Sequence, residues 1–558
     1  MSEKEYRCLL VSDFTMDNLA ACLENERDFP KVRCAIAPFG QVVQVLIDTG
    51  VQFWDSNPDF AVIWTQPHNI IESFQRFLDT ANVPVEEILK EVDHYSKLLM
   101  GIQNRVRFIL VPTWVCPSYD RGYGMLDMRS KGLANTLMRM NLRLAENLEH
   151  ASNIFLLDTQ RWTNTAGKNA FNPKLWYMAK IAFGREVFVE AARDMKAALR
   201  AMTAGSRKLL IVDLDGTLWG GIVGDDGWEN LKLGGHDYVG EAYRDFQRSL
   251  KSLKNRGILL GIVSKNDETI ALEAIKRHPE MVLRLDDFAG WRINWSDKAE
   301  NVVDLVTDLN LGLQSVVFID DNPAERARVR DALPEVLVPE WPEDKMLYRA
   351  TLLSLRCFDT SSIGKEDLER TSMYVAERQR RELKSNLESL DEWLTSLETE
   401  VRVEELTSAN LQRVAQLMNR TNQMNLSTRR MTETEILNWA AKDNHKLWTF
   451  SVSDKFGQSG LTGVASLEVE NRGGRIVDFV LSCRVMGRKI EETMLHVIVE
   501  HARSIGLDYL YAKYIPTKKN NPCLEFWQRS GWEYDAPLST FKWQLGDQYP
   551  LPNCINIK

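Results

Sequence analysis

The segment from Lys208 to Gly221, KLLIVDLDGTLWGG, decides the fold of the central part of this chain. Its apolar run LLIV ends at two carboxylates, Asp213 and Asp215. A short, continuous apolar run predicts a strand buried on both faces, as in a parallel sheet. Ligand sites of such sheets lie at the carboxyl ends of the strands. We therefore expect both aspartates at a ligand-binding edge.

Further polar residues follow in a fixed order downstream. Ser264 comes after ILLGIV, Lys298 lies in INWSDKAEN, and Asp320 and Asp321 come after VVFI. Parallel strands bring these positions to the same sheet edge as Asp213. Carboxylates clustered at strand ends would repel one another unless a cation lay between them. The order therefore predicts a site for a divalent cation and a phosphoryl group.

The residue types suit phosphoryl transfer. A carboxylate such as Asp213 can attack phosphorus and form an aspartyl-phosphate. A second carboxylate two residues on, Asp215, can protonate the leaving group and then activate water. Acidic groups hold Mg²⁺, which neutralises phosphate charge. A hydroxyl and a lysine, such as Ser264 and Lys298, can bind the transferring oxygens.

Length and composition limit the classes of protein to which this site can belong. The chain has 558 residues and a mass of 64.1 kDa, with 44% hydrophobic and 26% charged residues. These values predict a folded protein of three or four domains and exclude a collagen or a mostly disordered chain. The net charge of −9 and the pI of about 5.6 argue against sequence-independent binding of nucleic acid.

The N-terminus and the cysteines predict a cytoplasmic location. MSEKEYRCLLVSD lacks the apolar core of a signal peptide, and no apolar run approaches the ~18 residues of a membrane span. Eight cysteines are scattered, and none forms a CxxC pair. We expect a reduced protein with no membrane partner and no zinc ribbon.

The chain divides into four parts by pattern. Strand and helix signals alternate over 1–200 and again over 206–345, which predicts two α/β domains with parallel sheets. Residues 346–400 are highly charged and helix-rich, and we interpret them as a helical connector. Residues 401–545 are β-rich, with a hairpin at an Asn-Arg-Gly-Gly turn.

The aspartate motif with its ordered partners resembles the haloacid dehalogenase (HAD) phosphatase superfamily. The segments that separate Thr217, Ser264 and Lys298 are too short for a sizeable cap domain. A capless HAD domain has an open site, which favours a bulky or protein-tethered substrate or closure by a neighbouring domain.

A closer resemblance is to the FkbH-like family. It rests on LWGGIVGDDGWENLKLGG, FIDDNPAER, KEDLERTSMYVAERQRR and LSCRVMGRKIEETML, and it spans about 206–545. The N-terminal part looks like the extra domain of longer members. The resemblance implies that a glyceryl unit from 1,3-bisphosphoglycerate is loaded onto an acyl carrier protein for polyketide biosynthesis. The products would be tetronates or methoxymalonyl-type extender units.

The resemblance also implies a role for each motif residue. Asp213 would be the nucleophile and Asp215 the acid and base. Mg²⁺ would lie at a set of four carboxylates, Asp213, Asp215, Asp320 and Asp321. The phosphate would be bound by Thr217, Ser264 and Lys298. Members commonly have asparagine where this chain has Gly216, which could change substrate contacts.

Cys483 is the candidate for a second chemistry. Loading a carrier thiol through two thioester exchanges needs a cysteine nucleophile. Cys483 follows VDFVLS, and Arg484 and Arg488 could favour its thiolate. The match to the family's SCRVxGR stretch supports this role, whereas composition alone favours a buried structural cysteine.

The same segment resembles the GNAT acetyltransferase fold. In that fold, backbone amides of a glycine-containing loop bind a pyrophosphate at a helix start. Arg484 and Gly487 fit the loop, but Lys489 occupies its last small position and would crowd a diphosphate. We expect Arg484, Gly487 and Arg488 to contact the phosphopantetheine arm of a carrier rather than acetyl-CoA.

The N-terminal part resembles an SGNH-type or flavodoxin-like sheet, because Ser12 and Asp13 follow an apolar run. The late histidine of SGNH hydrolases is missing from FNPKLWYMAK, and His68 lies too early to replace it. We expect a hydrolase-like fold without hydrolase activity. For the whole chain, the alternatives to glyceryl transfer are a plain HAD phosphatase, a noncatalytic scaffold in a synthase complex, and an acyl-CoA transferase.

Overall fold

The computed structural model describes residues 5–25, 30–47, 54–79, 82–151, 153–203, 205–235, 237–360, 363, 368–385, 387, 389–517, 519–546 and 548–558. The chain forms two compact units, Met1–Lys208 with Leu347–Ile363 and Leu209–Met346 with Gly364–Lys558. The predicted connector at 346–400 is therefore not a single element. Its first part returns to the first unit, where Arg356 pairs with Glu190 and Asp194.

The first unit contains a five-stranded parallel sheet. Its strands are β1 Glu5–Ser12, β2 Lys31–Ile36, β3 Phe60–Trp64, β4 Phe108–Pro112 and β5 Ile154–Leu157. They lie in the order β2-β1-β3-β4-β5, which is the flavodoxin-like order. Leu9 and Val11 of β1 face one apolar core and Cys8 and Leu10 face the other, as the two-residue period of a strand requires.

Helices cover both faces of this sheet. Their bounds are Asp17–Asn25, Val42–Ile47, Pro67–Ile70, Glu72–Leu78, Val85–Gly101, Leu133–Leu148, Thr159–Ala166, Pro173–Ala179, Arg185–Met202 and, after the chain returns, Tyr348–Ser354. The doubly wound sheet predicted for the N-terminal part is confirmed.

The second unit begins with a four-stranded parallel sheet. Its strands are β6 Leu209–Val212, β7 Leu259–Ser264, β8 Phe288–Ile293 and β9 Val316–Ile319, in the order β8-β7-β6-β9. Its helices are Val223–Asp226, Tyr238–Asn255, Glu268–Arg277, Lys298–Asp308 and Pro323–Ala332. Within the described residues, only a short flap and single helices or strands separate the motif positions, so the predicted capless arrangement is confirmed.

The remainder of the second unit is built on a mixed sheet. Its strands are β10 Thr399–Glu405, β11 Met424–Asn425, β12 His445–Asp454, β13 Gly457–Glu470, β14 Gly473–Leu481, β15 Tyr509–Lys513, β16 Glu533–Asp535, β17 Thr540–Gln544 and β18 Ile555–Ile557. Strands β10, β12, β13 and β14 are antiparallel, whereas β14 and β15 are parallel. The turn between β13 and β14 is the predicted hairpin, with Asn471 at φ 54°.

Helix Ile490–Ser504 crosses between β14 and β15, as a parallel pair requires. The other helices of this part are Ser408–Arg420, Glu433–Ala440 and Asn521–Arg529. A single apolar core contains residues of both the sheet and the crossing helix. This α+β arrangement is the predicted GNAT-like architecture.

Helices Arg370–Ser385 and Leu390–Ser396 lie between the two sheets of the second unit in sequence. Arg378 donates to the carbonyl of Phe288 at 3.0 Å and stacks over Trp291 at 4.3 Å, which fixes the first helix against β8. Within the described residues, no helix combines the length and the apolarity that a membrane span needs.

Candidate active site

Three carboxylates meet at the carboxyl edge of the four-stranded sheet. Val212 of β6 pairs with Ile319 of β9, so the residues that follow them, Asp213 and Asp320, become neighbours. One oxygen of each of Asp213, Asp320 and Asp321 lies within 4.8 Å of the others. Asp213 is 6% exposed and Asp320 is fully buried. The register of the parallel strands therefore assembles the cluster that the sequence predicted.

Lys298 is the buried cation of this cluster. It is the first residue of helix Lys298–Asp308, whose N-cap is Asp297. Its Nζ lies 2.6 Å from Asp320 Oδ2 and 3.1 Å from Asp213 Oδ1. Burial alone would lower the pKa of Lys298, but the two carboxylates outweigh burial and raise it. Lys298 is therefore held as an ammonium ion.

The cluster has more negative charge than Lys298 can balance. Burial raises the pKa of Asp213 to about 7, although Lys298 and the hydroxyl of Ser264 both stabilise its ionised form. Burial also raises the pKa of Asp320. Three carboxylates with converging oxygens are ligands of the type that hard divalent cations prefer. The residues therefore fit a divalent cation at this edge.

Thr217 fixes the third carboxylate. Its hydroxyl accepts a hydrogen bond from the Asp321 amide at 3.0 Å and donates to Asp321 Oδ1 at 3.4 Å. Lys345 Nζ approaches Asp321 Oδ2 at 3.3 Å. Thr217 is fully buried, so in this structure its hydroxyl positions Asp321. A phosphate contact of Thr217 stays a prediction.

Asp215 points away from the other three carboxylates. Its Oδ1 accepts hydrogen bonds from Trp219 Nε1 at 2.8 Å and from the Val223 amide at 3.1 Å. Its Oδ2 accepts from Asn266 Nδ2 at 2.7 Å. Of the four carboxylates predicted to bind metal, the structure brings three together and holds the Asp215 side chain against the flap. The flap thus orients the predicted acid and base.

The residues that support the site were not identified from the sequence. Trp219 and Asn266 orient Asp215, and Lys345 approaches Asp321. Arg326 is 8% exposed and donates to the carbonyls of Asp320 and Asp321, both at 2.8 Å. Arg326 and Trp219 lie inside the quoted motif segments. The motifs therefore contained both residues but did not indicate which groups they contact.

Gly216 is required by the carboxylate cluster. Its φ is +71°, and a Cβ built there would lie 2.3 Å from Asp321 Oδ2. We expect Gly216→Ala to displace Asp321 and to lower phosphate release by about tenfold or more, since small displacements of catalytic groups can cost about 10²-fold. Gly224→Ala in the flap is the matched control, because a Cβ there meets only an Asn266 oxygen at 4.0 Å. Equal activities of the two variants would contradict the expectation.

Comparison with known proteins shows what the two parts of the chain are similar to. The family model "FkbH, N-terminal domain" matches residues 31–196. This stretch is therefore similar to the N-terminal domain of FkbH proteins. A search of curated proteins gave no match.

A solved structure is similar to much of this chain. It is the N-terminal part of the protein BF1531 from Bacteroides fragilis, which contains a phosphatase domain and was crystallised with Mg. The identity is 29% and the TM-score 0.59, over 65% of this chain and 96% of that chain. Together with the geometry above, this match shows a HAD phosphatase-like fold and indicates an FkbH-type enzyme.

Acetyltransferase structures match a smaller part. The ribosomal-protein-S18-alanine N-acetyltransferase from Escherichia coli is 7% identical over 26% of this chain and 95% of that chain, with a TM-score of 0.21. The GNAT domain of S. lividans PAT is 11% identical over 25% of this chain and 89% of that chain, with a TM-score of 0.22. The GNAT-like assignment rests on the strand order described above.

Cys483 is exposed and lies two residues after the end of β14. Its Sγ is 3.5 Å from Asn310 Nδ2, in the loop that follows helix Lys298–Asp308. Lys298 begins that helix at the carboxylate cluster, so the thiol lies at its opposite end. Eleven residues at about 1.5 Å each give a separation of about 17 Å along the helix.

The arginines beside Cys483 have different environments. The Arg488 side chain is 4% exposed, and it contacts Asp454 at 3.3 Å, Glu377 at 2.6 Å and the carbonyl of Arg484 at 2.6 Å. Arg484 Nη1 lies 2.8 Å from Met373 Sδ. Arg488 is therefore part of a buried ion network, and a contact with a carrier arm would have to break it.

The loop before helix Ile490–Ser504 contacts a buried carboxyl group, Glu491, whose pKa burial raises to about 7. The Gly487 amide donates to Glu491 Oε1 at 2.8 Å, and Glu491 is 4% exposed. Lys489 adopts φ 66° at the N-cap. A carboxylate therefore occupies the amide that a pyrophosphate would need, which adds a second obstacle to the one predicted at Lys489.

Proposed function

We propose that this chain is an FkbH-like, Mg²⁺-dependent glyceryl transferase and phosphatase. It would take 1,3-bisphosphoglycerate, remove phosphate at Asp213 and load the glyceryl unit through Cys483 onto the phosphopantetheine arm of an acyl carrier protein in polyketide biosynthesis. The observation that supports it most is the buried cluster of Asp213, Asp320 and Asp321 with Lys298, and the exposed thiol of Cys483 adds a group for acyl transfer.

The carboxylate cluster supports phosphoryl transfer. Asp213 Oδ would attack the phosphorus of the phosphate ester, and the ester P–O bond would break. Asp215 would give its proton to the departing oxygen and then take a proton from the water that hydrolyses the aspartyl-phosphate. Inorganic phosphate leaves, and both aspartates regain their starting state. Lys298 stabilises the negative charge of the transferring oxygens.

The cation of this site would be Mg²⁺, as in the phosphatase domain of the BF1531 structure. Asp213, Asp320 and Asp321 would hold it. When bound, such an ion neutralises phosphate charge and polarises the phosphoryl oxygens.

The thiol supports acyl transfer. The Cys483 sulfur would attack the acyl-phosphate carbonyl carbon, whose bond to the phosphate oxygen breaks, so that phosphate and a proton leave. The carrier thiol would then attack this thioester, which releases Cys483. Exposure of Cys483 allows access by a protein-borne thiol.

The test is intact-protein mass spectrometry after incubation with 1,3-bisphosphoglycerate and Mg²⁺, with and without a phosphopantetheinylated carrier. We would compare wild type with Cys483→Ala and Asp213→Asn, and use Cys554→Ala as the matched cysteine control. We expect a glyceryl adduct that depends on Cys483 and passes to the carrier. A phosphoglyceryl adduct on Asp213→Asn would place thioester formation before dephosphorylation.

A plain HAD phosphatase is the second candidate function. The thiol and the carboxylates lie at opposite ends of a helix about 17 Å long, which favours this candidate because one small substrate cannot contact both at once. Phosphate release through Asp213 with no adduct and no carrier loading would support this candidate against glyceryl transfer. Carrier loading by Asp213→Asn at the wild-type rate would instead favour a scaffold role for the HAD domain.

The pH dependence of stability tests the cation site. The pKa of Asp213 is raised to about 7 from 3.8, so the folded state binds more protons between these values and stability falls as pH rises through them. We expect Mg²⁺ to raise Tm more at about pH 8 than at about pH 5, because protons compete with the ion at low pH. Thermal unfolding with and without Mg²⁺ measures this. Asp213→Asn should lose most of the difference, and an equal gain at both pH values would contradict the cation site.

A further inference from the structure

The first unit has a cavity at the carboxyl edge of its parallel sheet. The cavity has a volume of about 260 Å³ and opens beside the ends of β3 and β4, where Gln66, His68 and Thr113 lie. Ligands of flavodoxin-like sheets bind at this edge. Its volume lies just below the range of about 300–1,000 Å³ that is usual for small-molecule pockets, so it suits a narrow ligand such as the end of a chain.

The cavity wall is aromatic and bears no cation. Its rings include Trp64, Tyr119, Phe171, Trp176 and Phe183. Asp120 also lines it, and no lysine or arginine is among the described residues that do so. Burial lowers the pKa of His68, which keeps the imidazole neutral. Such a wall favours a neutral ligand with amide or hydroxyl groups over a phosphate or a carboxylate.

The neutral polar groups of the wall suit an amide chain. The side chains of Gln66, Gln75 and Asn172 offer both donors and acceptors, and Thr113 offers a hydroxyl. An amide chain needs both kinds of partner when water is removed from it. The aromatic rings would contact the methylene groups between the amides.

The chain segments that contribute to the wall carry a net positive charge. Residues 117–132 and 172–182 together contain five basic and two acidic residues, although the whole chain has a net charge of −9. Of the basic residues, Lys180 lies over the Trp176 ring of the wall at 4.9 Å, whereas the acidic Asp120 itself lines the cavity. An anionic group at the outer end of a bound chain would therefore be placed on the side of Lys180.

The same two segments expose large apolar side chains. Met125 is 93% exposed, and Tyr177 and Met178 are each 81% exposed. Burial, and after it the nearby Tyr177, raises the pKa of Tyr119, which lines the cavity. Exposed aromatic and methionine side chains around a cavity are typical of a protein-binding surface.

We propose that this edge of the first unit is a docking site for an acidic carrier protein, whose neutral pantetheine arm enters the cavity while its phosphate lies on the side of Lys180. The inference rests on the proposed function for the class of partner. It assigns to the carrier a docking site whose lining contains neither the carboxylates nor Cys483, so the arm must leave the cavity before its thiol attacks the Cys483 thioester. The cavity binds the neutral part of the arm, and the exposed residues contact the carrier surface.

The test measures binding of an acyl carrier protein to the full-length chain by calorimetry, in the holo form with its arm and in the apo form without it. We expect the holo form to bind at least about tenfold more tightly than the apo form. Ala182→Trp, which fills the cavity, should remove this difference, whereas Tyr177→Glu should weaken both forms. Arg105→Glu, an exposed charge reversal before β4, is the matched control and should change neither.

Equal affinities of the holo and apo forms, or an unchanged difference in Ala182→Trp, would overturn the inference. If free phosphopantetheine binds as tightly as the holo carrier, the carrier surface contributes nothing to binding, and the proposal that the arm arrives on a protein is overturned. Tyr177→Glu changes an exposed side chain, so it tests the surface even if Ala182→Trp does not fold.

Phosphate release from 1,3-bisphosphoglycerate is measured in parallel. Loss of carrier binding with release intact would reject the docking site alone, whereas binding without release would reject the proposed function.

Discussion

Asp213→Asn should lower phosphate release by at least about 10³-fold, because loss of a catalytic nucleophile removes the covalent route altogether. The substitution keeps the shape of a side chain that is 6% exposed and lies 3.1 Å from Lys298. It also removes one of the three negative charges that would hold a divalent cation. Release of inorganic phosphate under single-turnover conditions measures the effect.

Two further variants make this result specific to Asp213. Asp331→Asn changes an exposed aspartate of helix Pro323–Ala332 and should leave phosphate release unchanged. Asp215→Asn should slow both steps, because no group would then protonate the leaving oxygen or activate water. Residual release by Asp213→Asn within about tenfold of wild type would rule out the aspartyl-phosphate route.

Asp454→Ala should destabilise the second unit by about 3–5 kcal/mol, which is typical when one partner of a buried ion pair is removed. The Asp454 carboxylate is completely buried between Arg380 at 2.6 Å and Arg488 at 3.3 Å. Without it, two buried guanidinium groups would share Glu377, which is 35% exposed. Urea unfolding followed by tryptophan fluorescence measures the loss as a lower midpoint.

Asp443→Ala is the control for this stability measurement. Asp443 is exposed two residues before β12, so its loss should change stability by no more than about 0.5 kcal/mol. Because Arg488 follows Cys483 closely in the chain, Asp454→Ala should also loosen the loop that presents the thiol. A loss below about 1 kcal/mol would show that the network is replaced by water or by other partners.

Much of the carboxylate site was predictable because it depends on local patterns. Apolar runs of four to six residues ended at Asp213, Ser264 and Asp320, and parallel strands place their carboxyl ends together. The position of Lys298 was predictable for the same reason. A helix that follows a strand of such a sheet runs antiparallel to it, so its first residue lies at the carboxyl edge of the sheet. Asp215 was different, because its orientation depends on a tryptophan and an amide of the flap.

The surroundings of Cys483 were less predictable. The sequence placed Arg488 beside the thiol, but the side chain turns into a buried network whose members come from three separate elements. The Gly487 amide likewise donates to Glu491, and the sequence did not predict this contact. The return of residues 347–363 to the first unit also depends on ion pairs between residues more than 150 positions apart in the chain.

The sequence by itself determined three things: the parallel sheets, the order of the phosphoryl-transfer motif and the absence of a cap domain. These follow from strand periodicity and from segment length, which are local properties of the chain. Only the tertiary structure decided that three carboxylates converge while Asp215 turns to the flap, and that the thiol lies at the far end of helix Lys298–Asp308. Side-chain direction and distance depend on long-range packing, which no local pattern encodes.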